Sequence, residues 1–210
     1  MSTLTQEQQE KLSQFLEARH LSKGKGTNES ACSIASINLA LNGKLTDAIP
    51  DCMSEVIGVW IIVVQDFCPT TVRNSLEWKR LLPLAAGTGR EHEKQRLAVL
   101  YAWLWNDIVP HVDPPRHKTA WNKFVNGELN KQELKDFCFE AADNFLLSKL
   151  VRGLRNAGRS CNENNYSTSE LVGILADTAT AAVPQIHTVN DPLKPIDTLK
   201  RLIEISKSST

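Results

Sequence analysis

This 210-residue chain has no long hydrophobic run, no paired cysteines and no excess of either charge, and each absence removes a class of protein. The longest apolar stretch, Val56 to Val64, is interrupted only by Gly58. It is about half as long as the ~20 residues that cross a bilayer as a helix, so no membrane span is expected. The five cysteines, Cys32, Cys52, Cys68, Cys138 and Cys161, are odd in number, far apart and free of any C-x-x-C spacing. That pattern fits neither a disulfide scaffold nor a zinc ribbon and points to a reducing compartment. Met1 to Glu17 carries Gln and Glu where a secretory leader has a basic start and an apolar stretch, so a cytoplasmic location is expected.

Lys plus Arg and Asp plus Glu stand at 24 each. The balance is local too, with 11 of each sign through residue 105 and 13 of each after it. A general nucleic-acid coat protein draws its affinity from a basic excess, and there is none here. Internal repeats, low-complexity tracts and alternating segments bounded by hairpin turns are also missing, which argues against solenoids and β-sandwiches.

What is present is helical periodicity in a composition that is 41% apolar, enough for a core. Thr5 to Arg19 sets Leu12, Phe15 and Leu16 at helical spacing. Asn28 or Ser30 is placed to cap a second helix, with Ala31, Ile34, Ala35, Asn38 and Leu41 on one face and Gly43 as its stop. Met53, Val56, Ile57, Trp60, Ile61 and Val64 follow the three-and-four spacing of a helix despite their β-branched content. With Val59, Ile62 and Val63 also apolar, residues 51–67 are expected to form a nearly all-apolar central helix, capped by Asp51 and closed by Cys68-Pro69. Further helices are expected from Ser75 with a bend or end at Pro83, from Glu91 to Val109, from Asn130 towards Gly158, from Thr168 or Ser169 to Pro184, and from Pro195 to about Ser206. The expected class is therefore all-α: one multi-helix domain of seven or eight helices, with a core over 1–109, a loop or linker over 110–129 rich in proline and glycine, and helices over 130–210 packed on that core.

Two short loops are the candidate anion sites, because each is expected to run into a helix start whose unpaired N–H groups and partial positive charge favour anions. The first comprises Lys23, Gly24, Lys25, Gly26, Thr27 and Asn28; the second is Ala86-Gly87-Thr88-Gly89-Arg90, which adds Arg90. In the first, the lysines bring charge and the glycines let a phosphate or carboxylate approach the backbone. Neither has the G-x-x-x-x-G-K-[ST] order of a P-loop. The second is opposed by Glu91 and Glu93, which repel an anion and suit a plain helix start with Thr88 as its cap.

Other polar groups are weaker candidates. Asp47, Asp51, Ser54, Glu55, Gln65 and Asp66 flank the central helix, and Arg73 is expected to pair with Asp66. His111, Asp113 and His117, or Glu91, His92 and Glu93, match no metal-binding spacing, so no metal and no cofactor are expected. Cys32 and Cys52 read as buried small apolar residues rather than nucleophiles. Lys149, Arg152 and Arg155, with Arg159 beyond, form a basic stripe suited to a nucleic-acid backbone or an acidic partner. The acids that precede the stripe and the bases that form it are equally what the macrodipole of one helix favours. Five tryptophans invite an interface, since Trp103 and Trp105 cannot both face one core.

No catalytic constellation is legible, so the leading expectation is a non-enzymatic helical protein that contacts another macromolecule as a small subunit, adaptor or inhibitor. The alternative is a binder of, or enzyme acting on, a phosphorylated small molecule or nucleotide through Lys23 to Asn28. Nucleic-acid contact through Lys149 to Arg159 ranks third.

Overall fold

The computed structural model describes residues 4–108, 167–183 and 191–206. These residues are all-α: eight α-helices accompany one two-residue strand pair. The helices are α1 (Gln6–Ala18), α2 (Ser33–Asn42), α3 (Glu55–Phe67), α4 (Thr70–Arg73), α5 (Leu76–Ala86), α6 (Glu93–Trp103), α7 (Thr168–Ala182) and α8 (Pro195–Glu204). A π-helical turn, Leu104–Ile108, continues α6. The strands β1 (His20–Leu21) and β2 (Ser30–Ala31) pair in parallel, His20 beside Ser30 and Leu21 beside Ala31.

The chain divides into two compact units, one comprising Met1–Val99 with Lys194–Thr210 and the other Leu100–Leu193. In the first, α5 is covered by α1 on one side and α8 on another, while α3 packs against α2 and α8. The core is built as the spacing of α3 dictates: Val56, Ile57, Trp60, Ile61 and Val64 are fully buried. Each contributes roughly 1.5–3 kcal/mol of apolar burial. Trp60 meets Trp78 of α5 with ring centroids 6.4 Å apart, and the Trp78 indole N–H donates to Ser33 Oγ at 3.1 Å. Val59, Ile62 and Val63 are only half-buried, so α3 is enclosed on most of its circumference rather than all of it.

Helix ends follow cap chemistry. Thr5 opens α1 with a complete capping box to Gln8, Ser75 caps α5 as expected, and Gly43 closes α2 in the left-handed conformation at φ 66°. Three expected caps are displaced. Cys32, not Asn28 or Ser30, caps α2, its sulfur accepting from Ala35 N–H. Ser54, not Asp51, caps α3, and Ser167, not Thr168 or Ser169, caps α7 through a capping box with Glu170. Pro83 lies within α5 without ending it.

In the second unit, α7 packs against the π-helical turn, and the Trp103 indole N–H donates to Leu193 O at 2.9 Å. The helix and basic stripe expected within 130–158, the 110–129 loop, Trp121 and Cys161 lie outside the described residues.

Candidate functional site

The first glycine loop does not lead into a helix. After β1 the chain turns through Gly24 (φ 62°) and Gly26 (φ 73°) and returns to lay β2 beside β1, so α2 begins only at Ser33. Thr27 N–H donates to Ser30 O at 2.7 Å and Ser22 N–H to Ala31 O at 3.0 Å, while the Arg19 guanidinium donates to Thr27 O at 2.9 Å. A Cβ on Gly26 would stand 2.2 Å from Ser30 O and 2.6 Å from Ala31 Cα, so glycine is obligatory there. Gly24 has nothing within 4 Å of the same position and forms an open tip. Lys23, Lys25, Thr27 and Asn28 are exposed on this loop.

An oxyanion already sits on the tip, and it belongs to the protein. Gly24 N–H donates to both carboxylate oxygens of Asp66, at 3.1 and 3.3 Å. Asp66 therefore does not pair with Arg73 as the sequence suggested. Arg73 is buried and donates instead to the carbonyls of Leu21, Gln65 and Cys68, with a further bond to Thr70 Oγ1. It pins the α3 end to β1, and Asn74 ties the end of α4 to the same strand through Leu21 N–H and O. The true start of α2 is likewise occupied, because Ser33 N–H donates to Gln65 Oε1 at 2.8 Å.

The second glycine loop lies at the other end of α3. Thr88 does not cap α6: its hydroxyl donates to Ala85 O and accepts from Ser54 N–H, tying the end of α5 to the cap of α3. Gly89 N–H donates to Cys52 O at 2.9 Å. The anion at this helix start is Glu93, whose carboxylate accepts from Ser54 Oγ (3.1 Å), Glu55 N–H (3.1 Å) and Val56 N–H (2.9 Å). Behind it lies Arg96, fully buried and 3.7 Å from Glu93 Oε1. Arg96 donates to Thr88 O, Gly89 O, Leu202 O and Ser206 Oγ, which clamps the end of α8 to this loop. Burial lowers the Arg96 pKa, opposed by the charges of Glu93 and Glu91.

Sequence reasoning missed Arg96, which reads as one more polar residue of an amphipathic helix. Only its placement on the buried side of α6 marks it out.

The two loops do not converge. α3 has 13 residues, and at ~1.5 Å per residue this puts its ends about 18–20 Å apart. Arg90 stands at the Ser54 end, 3.9 Å from an exposed Asp51 oxygen, whereas Lys23 to Asn28 stand at the Asp66 end. Lys149, Arg152, Arg155 and Arg159 lie outside the described residues, as do His111, Asp113 and His117. Among the described residues, no group of three or more His, Cys, Asp or Glu gathers as a metal site. Cys32 is buried, while Cys52 is half-buried with its thiol pKa raised by burial.

Two features of the described surface are left without internal partners. The first is apolar: Phe67, Leu76 and Leu84 are 53%, 48% and 40% exposed. Leu76 and Leu84 lie eight residues apart, with Arg80 midway, on one face of α5. The second is a surplus of donors at the first loop. Arg19 Nε and Ser22 Oγ are shut from solvent with no acceptor among the described residues, and Lys23 and Lys25 have no ion-pair partner among them. Among the described residues no helix is long and apolar enough to cross a membrane.

Comparison with protein-family models, curated proteins and solved structures finds no match to this chain.

Proposed function

We propose that this protein works by contacting another protein, as a small helical subunit, adaptor or inhibitor. The observation that carries this reading is the exposure of Leu76 and Leu84 on α5, on either side of Arg80, and of Phe67 at the end of α3. Large apolar side chains left outside a helical unit are what a partner surface would cover. The polar groups nearest the helix starts point the same way: Glu93, Gln65, Arg73 and Arg96 each spend their hydrogen bonds inside the fold.

Isolation of the tagged protein from extract of its own source, beside a Leu76→Glu/Leu84→Glu variant with an unchanged circular dichroism spectrum, tests the reading. A stoichiometric species held by the wild type and lost by the variant supports it. Retention of the same species by the variant, or a wild type that stays alone and monomeric, overturns it.

A second reading is binding of a phosphorylated small molecule or nucleotide at Lys23 to Asn28. The donor surplus at Arg19, Ser22, Lys23 and Lys25 favours it, because a phosphate supplies the acceptor oxygens that the loop is short of. Arg90 stands apart from this site, at the far end of α3.

A further inference from the structure

We propose that Asp66 is a built-in competitor for the first glycine loop: its carboxylate occupies the anion position at Gly24, and a phosphate group binds by displacing it. This rests on the phosphate reading of Lys23 to Asn28. Asp66 is the penultimate residue of α3 (Glu55–Phe67). The carbonyl end of a helix carries partial negative charge and disfavours a carboxylate. Asp66 is thus held against the field of its own helix, and the contact that holds it is one N–H shared between two oxygens at 3.1 and 3.3 Å. Both distances lie at the long end of the N–H···O range, so the contact is weak.

The loop around that N–H is built in two parts. Gly26 is a fixed foot, seated against Ser30 O and Ala31 Cα, while Gly24 is an open tip with free space beside it. Lys23 and Lys25 flank the tip, while Ser22 Oγ stands at the foot, 2.9 Å from where a Cβ on Gly26 would be, and Arg19 Nε belongs to the guanidinium bonded to Thr27 O; neither atom has an acceptor among the described residues. One carboxylate with a single negative charge engages one donor of this set. A phosphate monoester carries three acceptor oxygens and about 1.5 to 2 negative charges, and it arrives without the unfavourable helix-end position. The exchange of Asp66 for phosphate therefore replaces one shared hydrogen bond with several charge-assisted ones.

The test is calorimetric titration of the full chain with inorganic phosphate, a sugar phosphate and a nucleoside monophosphate, at constant ionic strength. It uses the wild type, Asp66→Asn, Asp66→Ala and Lys23→Ala/Lys25→Ala. Removing a like charge from beside the bound phosphate should tighten binding by at least about fivefold in both Asp66 variants. The double lysine variant should lose binding. The amide resonance of Gly24 should shift on titration in the wild type and already be displaced in Asp66→Asn before ligand is added. Phosphate binding of equal strength in the wild type and both Asp66 variants overturns the competitor and leaves the phosphate reading standing. No binding of any phosphate by any variant overturns both, as does binding that survives loss of both lysines. Inorganic phosphate binding as tightly as the esters identifies the phosphate alone as the ligand group; tighter binding of one ester assigns the source.

Discussion

Replacing Glu93 by Gln is a nearly isosteric change with a large expected effect. All the near neighbours of this carboxylate present donors to it: Ser54 Oγ–H, Glu55 N–H and Val56 N–H within hydrogen-bond distance, and the Arg96 guanidinium 3.7 Å away. Glutamine keeps one acceptor oxygen and turns the other into an NH2 group, so one N–H of the first turn of α3 faces another donor. An unsatisfied buried donor costs about 1–3 kcal/mol. Loss of negative charge at a helix start costs about 0.3–1 kcal/mol more. Arg96, fully buried, then keeps carbonyl and hydroxyl acceptors but loses the nearest opposing charge. The Glu93 side chain is 18% exposed, which lets water soften part of this. The expected sum is about 2–4 kcal/mol. For a chain of this size it lowers Tm by roughly 6–12 °C.

Urea unfolding followed by tryptophan fluorescence reads the change, since Trp60 of α3 and Trp78 of α5, which packs against it, are both fully buried. A double-mutant cycle with Arg96→Met should give a coupling of about 1 kcal/mol or more, because the two side chains share one site. A loss below about 0.5 kcal/mol for Glu93→Gln, at unchanged m-value, refutes the claim that this carboxylate holds the start of α3.

Two further outcomes follow from the same geometry. Gly26→Ala should destabilise the protein by more than about 2 kcal/mol, because it adds a backbone clash to a left-handed φ, whereas Gly24→Ala, strained in φ but unobstructed, should cost about 1 kcal/mol; equal losses in thermal unfolding refute the fixed-foot assignment. The Glu170 carboxyl pKa is lowered by the Ser167 backbone N–H and then by its hydroxyl, so its contribution to α7 is present above the usual carboxylate range and fades as pH falls through the lowered value. Amide protection in α7, taken relative to the intrinsic exchange rate at each pH, should therefore fall on acidification in the wild type, and Glu170→Gln should show reduced protection at neutral pH with little further loss in acid; wild-type protection in that variant refutes the cap's role.

Much of the fold was legible in the chain. Apolar residues recurring at three and four positions identified α1, α2 and α3, because burying one stripe of a helix requires that spacing whatever lies opposite. Ser75 and Gly43 were readable as caps because their bonds reach only three or four residues along the chain. Two of the misplaced caps, those of α2 and α3, share one cause. Asn28, Ser30 and Asp51 are chemically as suitable as Cys32 and Ser54, but pairing between residues 20–21 and 30–31 draws Ser30 into a strand and leaves Asn28 in the bend before it, and bonds from Thr88 and Glu93 gather around Ser54.

The sites show the same division more sharply. Periodicity and composition alone determined the all-helical class and the apolar identity of the central helix. That glycine and lysine adjoin at residues 23–26 is likewise written in the chain. Only tertiary structure decided that the two glycine loops stand at opposite ends of α3, that the first loop holds Asp66, and that Arg73 and Arg96 are buried guanidinium groups. Those outcomes depend on contacts between residues 42, 39 and 106 positions apart. Local propensity carries no information about such pairings, because they are selected by which polar groups the packed helices bring within hydrogen-bond distance.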